Sequence, residues 1–245
     1  MNFFTRSLNF ILSFWFSNPW VETKDKYYDL VKKTMTHTTH LSARTPSSRP
    51  PLICCVDGNI GCGKSTVLSF LKSLGYLVFE EELDNWGTLL SKFYTDPKRW
   101  MCTLQVKILH SMRKQYENMN QISASQHPVV FIERSPLSSM LFVLEGIKNT
   151  YLDFEETQLI CQVYHDIFWK PDISFYIDTD VNECFRRKIH RNRKCEANVS
   201  KSYLQKLHDG YVQMYSNNIH AFIIEGRQET KQVANDILEV LRSLD

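Results

Sequence analysis

An apolar run, Leu52 to Val56, ends at Asp57 and passes directly into Gly58-Asn59-Ile60-Gly61-Cys62-Gly63-Lys64-Ser65. Beyond it Val67, Leu68, Leu71 and Leu74 recur at helical spacing and stop at Gly75, a natural C-cap. The G-x-x-x-x-G-K-S pattern has its chemical meaning only between a strand and a helix, the context it has here. The glycines let the backbone curl, so that successive amide N–H groups point inward at phosphate oxygens. The helix opening near Lys64 adds the positive end of its dipole. Lys64 can reach the outer phosphates of a nucleotide, and Ser65 with Thr66 follows at the helix start, where a hydroxyl can ligate Mg²⁺. The expected cofactors are therefore ATP and Mg²⁺, held by Gly58 through Thr66. The motif alone does not separate kinases from motors, switches or ATP-dependent binding modules.

The rest of the chain sets out the scaffold. Strand-like runs at Tyr76 to Phe79, Val129 to Ile132, Ile173 to Ile177 and Phe222 to Ile224 alternate with helical patterns. The helices are expected at Trp86 to Tyr94, Pro97 to about Asn118, Phe154 to Trp169, Val181 to about Arg191, Ser200 to Ser216 and Thr230 to Leu244. Such alternation predicts an α/β fold: a five-stranded parallel sheet with helices on both faces, in three layers. Residues 1 to 50 read differently. Thr34 to Arg49 is dominated by Thr, Ser, His and Arg and runs into Pro50-Pro51, a composition that buries little surface. We therefore expect an N-terminal extension or linker over 1–50 and the folded domain over 51–245.

Composition excludes little. With 245 residues, 43% hydrophobic, 23% charged and a formal net charge of +2, the balance is globular and gives no global case for nucleic acid or an anionic membrane as partner. No stretch reaches the roughly 20 apolar residues of a membrane span. Phe3 to Phe16 is apolar with a single Arg6 and no acid before Glu22. That suits either a loose extension, with the chain in the cytoplasm, or a mitochondrial presequence. The seven cysteines show no C-x-x-C spacing and read as free or buried thiols of a reducing compartment.

Asp57-Gly58-Asn59-Ile60-Gly61-Cys62-Gly63-Lys64-Ser65-Thr66 resembles the E-G-N-I-G-x-G-K-S-T start of the deoxyribonucleoside kinases, ATP-dependent enzymes that phosphorylate the 5′-hydroxyl of deoxynucleosides. Five further blocks follow at compatible spacing. Glu81-Glu82-Leu83-Asp84-Asn85-Trp86 is similar to the family's E-P-x-x-x-W, although Glu82 replaces the proline. Phe93-Tyr94-Thr95-Asp96-Pro97-Lys98-Arg99-Trp100 resembles M-Y-x-x-P-x-x-W, with Gln105 where the family reads the base. Glu133-Arg134-Ser135 resembles E-R-S, followed here by an unusual Pro136. Arg191-Asn192-Arg193-Lys194-Cys195-Glu196 resembles the arginine-rich lid, and Tyr203 to His208 the Y-L-x-x-L-H after it.

The resemblance implies roles. Glu81 would be the general base on the 5′-hydroxyl, with Glu80 and Glu82 as rival registers. A carboxylate just past a strand end sits at the rim where open α/β sheets bind ligands. Arg134 would pair with that base, and Glu133 would help Ser65 place Mg²⁺. Trp86, Tyr94 and Gln105 would line the nucleoside pocket. Read singly, Trp86 is a core aromatic and Gln105 a helix-surface amide. Tyr94 and Glu196 would grip the sugar 3′-hydroxyl. Arg191 and Arg193, in the basic run Arg186 to Lys194, would close over the phosphates rather than form a solvated face. Glu225-Gly226-Arg227-Gln228 falls where the family's adenine loop lies. Met112, on the same helical face as Gln105, and Ser139 stand where deoxycytidine kinase has an arginine–aspartate pair. An apolar and small pair implies thymidine, with deoxycytidine also used. Members are commonly homodimers. The rival readings are a nucleoside monophosphate (thymidylate) kinase, whose pattern is D-R-x in place of E-R-S, and a non-catalytic ATP-binding module.

Overall fold

The computed structural model describes residues 25–36, 50–167, 169–216, 218 and 220–244. The apolar run forms β1 (Leu52–Gly58), buried beyond its first residue. Such a continuous hydrophobic strand needs a helical layer on each face. It leads into α2 (Lys64–Ser73), then β2 (Leu77–Phe79). A helical pair, α3 (Leu83–Thr95) and α4 (Pro97–Met119), precedes β3 (Val129–Glu133). Pro97 opens α4, and the Asp96 side chain accepts from the Arg99 N–H at 3.2 Å. A second pair, α5 (Pro136–Lys148) and α6 (Phe154–Ile167), leads to β4 (Ile173–Asp178). Next come α7 (Val181–Arg191), a 3₁₀ turn at Lys194–Glu196 and α8 (Lys201–Ser216). The chain closes with β5 (Ala221–Glu225) and α9 (Thr230–Ser243).

The five strands lie in the order β2-β3-β1-β4-β5, all parallel. The connection from β1 to β2 therefore runs toward one edge, and the later connections run toward the other. Right-handed crossovers place α2 on one face and α3 to α8 on the opposite face. Accordingly α9 returns to pack on α2, while α8 packs on α5 and α7. This is the three-layer α/β arrangement expected. Loops leaving β1 and β3 diverge to opposite faces, which opens a crevice between their C-terminal ends.

Two helices depart from expectation. The α5 segment was not anticipated because it is buried almost all round, from Pro136 through Ile147, and so lacks the polar face that marks a helix in sequence. The other is α1 (Asp25–Thr36), within the expected extension. It docks on α6 and α5, burying Val31 completely. Tyr27 meets Phe154 edge-to-face at 5.5 Å between centroids, and the Lys26 ammonium lies 3.7 Å from the same ring centre. Residues 25–36 are thus not plain linker, whereas the apolar segment Phe3 to Phe16 and most of Thr34 to Arg49 lie outside the described residues. Val31→Ala should lower unfolding stability by about 1–2 kcal/mol, read as a shifted urea midpoint. An unchanged midpoint would show that the helix adds nothing to the fold.

Candidate active site

The loop after β1 curls as its glycines require, with positive φ at Gly58, Gly61 and Gly63. Gly61 has no alternative: at φ +81° any Cβ would sit 2.3 Å from the Cys184 carbonyl oxygen. Asn59 stiffens the loop, its side chain accepting from the Ile60 N–H at 2.8 Å and donating to the Leu204 carbonyl at 2.9 Å. The Lys64 ammonium donates to the carbonyls of Gly58 (3.2 Å) and Asn59 (2.9 Å), and lies 3.9 Å from Glu133. Ser65 Oγ donates to the Glu133 carboxylate, 3.2 and 3.3 Å from its two oxygens.

Beside the start of the loop stands Arg134, only 6% exposed. Its backbone sits at φ +67°, a left-handed conformation that costs an L-residue about 1–2 kcal/mol. Its guanidinium explains the tolerance. Nε donates to Glu81 at 2.8 Å, and one terminal nitrogen donates to Asp57 (3.3 Å), the Gly58 carbonyl (3.2 Å) and the Tyr211 hydroxyl. Burial alone would pull the Arg134 pKa down, but Tyr211, Glu81 and Asp57 more than offset it and hold it above the usual value. Asp57, fully buried, also accepts from the Gly58 N–H (2.8 Å), the Tyr215 hydroxyl (2.7 Å) and the Ser138 hydroxyl. Tyr211 and Tyr215 stack with Tyr176 behind this network.

The three neighbouring acids separate cleanly. Glu80 pairs with Lys72 at the surface (3.2 Å). Glu82 turns to Ser111 and Asn85, both at 2.7 Å. Glu81 alone of the three lines the crevice and meets Arg134. Burial, and then the Glu81 charge, push the Glu133 carboxyl above its ordinary pKa; Lys64 and Arg134 pull against this.

The crevice is lined mainly by apolar side chains, with a few polar and charged groups converging on it. Ile60, Gly61, Lys64, Ser65, Glu81, Glu133 and Arg134 line it. Trp86, Tyr94, Gln105, Met112 and Ser139 line it too, and Arg191, Arg193 and Glu196 also border it. The fold thus gathers residues from all six sequence blocks except the last. Gln105 is oriented by Ser139, whose hydroxyl donates to Oε1 at 2.6 Å. Tyr94 is half-buried, and burial, then Tyr203 and Glu196, raise its pKa. Glu196 is clasped by Arg191, and by Arg193 at 3.5 Å. Cys62, Gly63 and Thr66 face a second cavity instead, shared with Arg187, Gly226, Gln228 and Thr230. Gly58 and Asn59 line neither.

Several site residues were not foreseen. Ser138, Tyr211 and Tyr215 brace Asp57 and Arg134, and Arg187 ties α7 to the Cys62 carbonyl (2.9 Å) and the Gly226 carbonyl (3.2 Å). The i, i+4 spacing of Tyr211 and Tyr215 marks a shared helix face but not what that face meets. Leu83, Leu90, Phe93, Leu104, Ile108 and Phe142 supply the apolar wall.

Oxygen donors from Ser65 and Glu133 fit a hard divalent cation, and two nearby carboxylates, Glu133 and Glu81, would be relieved by one. Among the described residues no three His, Cys, Asp or Glu side chains converge to hold a metal by themselves. No described helix is long and apolar enough to cross a membrane.

Known proteins resemble the chain over most of its length. Protein 143R of Invertebrate iridescent virus 6 is 31% identical over 188 residues, covering 76% of this chain and 94% of its own. The thymidine kinase of Ictalurid herpesvirus 1 is 28% identical over 204 residues, covering 78% and 86%. Among solved structures, a deoxyadenosine kinase from M. mycoides, with the products dCMP and dCDP bound, superposes with a TM-score of 0.69 at 21% identity, covering 78% of this chain and 99% of that one. The deoxynucleoside kinase family model matches residues 54–244, from within β1 to the end of α9. With most of β1 and every later strand and helix inside that span, the chain belongs to the deoxynucleoside kinase family and is an ATP-dependent phosphotransferase.

Proposed function

We propose that the chain transfers the γ-phosphoryl group of ATP to the 5′-hydroxyl of a pyrimidine deoxynucleoside, with thymidine preferred and deoxycytidine also accepted. The observation that carries the reading is one crevice lined by Lys64, Glu81 and Arg134 together with Gln105. A base held by the Gln105 amide and flanked by Trp86 and Tyr94 would direct the sugar's 5′ end toward Glu81. Glu81 accepts the hydroxyl proton as the oxygen attacks, and Arg134 holds its carboxylate in place. Lys64, Arg191 and Arg193 neutralise charge gathering on the transferring group. Tyr94 and Glu196 hold the 3′-hydroxyl. Mg²⁺, held by Ser65 and Glu133, would shield the outer phosphates. The donor's base would lie in the second cavity, beside Arg187 and Gln228.

Thymidine preference rests on Met112 and Ser139: neither brings charge to the base edge. On the family resemblance we also read 51–245 as the kinase unit, working in the cytoplasm as a homodimer. A panel of deoxynucleosides and their monophosphates with labelled ATP tests the reading. Thymidine should give the highest kcat/KM, with deoxycytidine next. Transfer to thymidylate but not thymidine would overturn the acceptor assignment. A purine deoxynucleoside as best substrate would overturn the pyrimidine one.

A further inference from the structure

Lys188 belongs to the basic run but takes no part in the chemistry above. It lies on α7, is 7% exposed, and therefore does not lie along a solvated helix face. Burying an ammonium is expensive unless its donors are used. Here they go to the main chain: Nζ donates to the carbonyls of Ala197 (3.2 Å) and Val199 (3.1 Å). Those carbonyls follow Glu196 closely along the chain. The segment is also held by its own turn and by packing: the Val199 N–H donates to the Glu196 carbonyl (3.1 Å), the Ala197 N–H to the Lys194 carbonyl (3.3 Å), and the Val199 side chain is buried in the core. The 3₁₀ turn contributes the Glu196 N–H to Arg193 carbonyl bond (2.9 Å), and Asn198 makes a long contact of 3.4 Å to the Tyr94 carbonyl. Arg191 and Arg193 grip the Glu196 carboxylate, but both also border the crevice. Arginines that turn to phosphate would release that grip.

We propose that Lys188 is a positioning residue for substrate selection: it clamps the returning arm of the lid, so that Glu196 stays in the nucleoside pocket when Arg191 and Arg193 turn to phosphate. The inference rests on the reading that Glu196 holds the sugar 3′-hydroxyl. It makes recognition of that hydroxyl depend on a side chain that never touches substrate. A charged side chain in this run would ordinarily be assigned to phosphate. The two carbonyl bonds assign it instead to the acceptor side of the site.

The test compares thymidine with 3′-deoxythymidine as acceptors for the wild-type chain, Lys188→Met, Lys188→Arg, Glu196→Gln and the Lys188→Met/Glu196→Gln double variant. Lys188→Met should raise KM for thymidine about tenfold, the loss of about 1.4 kcal/mol of binding. KM for 3′-deoxythymidine and for ATP should stay within about twofold. Lys188→Arg should recover part of the loss. In the double variant Lys188→Met should add nothing to Glu196→Gln, since both remove one interaction. If Lys188→Met does not fold, Lys188→Gln, which keeps a donor, carries the same comparison. An equal loss on both acceptors, a raised KM for ATP, or additive effects would each overturn the clamp. If Glu196→Gln itself fails to discriminate the two acceptors, the underlying reading of Glu196 falls. If Glu196→Gln discriminates and the Lys188 variants do not, only the clamp falls.

Discussion

Glu81→Gln should lower kcat by about 10²–10⁴-fold, the usual contribution of a positioned general base, while leaving ATP affinity unchanged. The substitution is nearly isosteric, and the amide oxygen can still accept from Arg134 Nε, now 2.8 Å from the carboxylate. Proton acceptance is lost and geometry is kept. The neighbouring acids supply the controls. Glu80 faces Lys72 at the surface, and Glu82 holds Ser111 and Asn85, so Glu80→Gln and Glu82→Gln should keep turnover within a few-fold. Steady-state kinetics beside a nucleotide-binding titration separates the two effects. Near-normal turnover in Glu81→Gln, or a large loss in either control instead, would move the base to another residue.

Asp57→Ala should be the most damaging single change to stability. It strips a fully buried acceptor from the Gly58 N–H, the Ser138 and Tyr215 hydroxyls and the Arg134 guanidinium at once. Removing one partner of a buried ion pair costs about 3–5 kcal/mol. In a chain of this size that lowers Tm by on the order of 10 °C. Turnover should fall too, because Arg134 and the first turn of the phosphate loop share this anchor. Asp57→Glu, the residue the resembling kinases carry, adds one methylene to a tight site and should cost less, about 1–3 kcal/mol. Thermal unfolding of the two variants decides it: equal losses would show that the carboxylate does not brace the loop.

What the sequence made legible follows from how local each signal is. The phosphate loop, the strands beside it and most helix limits rest on neighbouring residues, and α7 spans Val181–Arg191 as its pattern indicates. The buried α5 lacked a polar face to announce it, and α1 acquires its burial from a docking partner more than a hundred residues away. The register of the acidic cluster was undecidable locally, because Glu80, Glu81 and Glu82 are alike in kind and differ only in what lies opposite. Tyr211, Tyr215 and Ser138 were invisible for the same reason: their partners, Arg134 for Tyr211 and Asp57 for the other two, are reached only once the fold brings the ends of β1 and β3 against α5 and α8. The pocket residues became readable through family blocks rather than through their own chemistry, as Gln105 shows. An amide on a long helix looks solvent-facing until Ser139 is placed against it.

The left-handed backbone of Arg134 bears on catalysis in another way. Glycine there would relieve the main chain but lose the guanidinium, and lysine would keep a charge but not the fork that reaches Glu81 and Asp57 together. The position therefore has almost no freedom to drift. A side chain pinned at both backbone and head arrives preorganised: its ordering cost falls on folding, once, and not on each catalytic cycle.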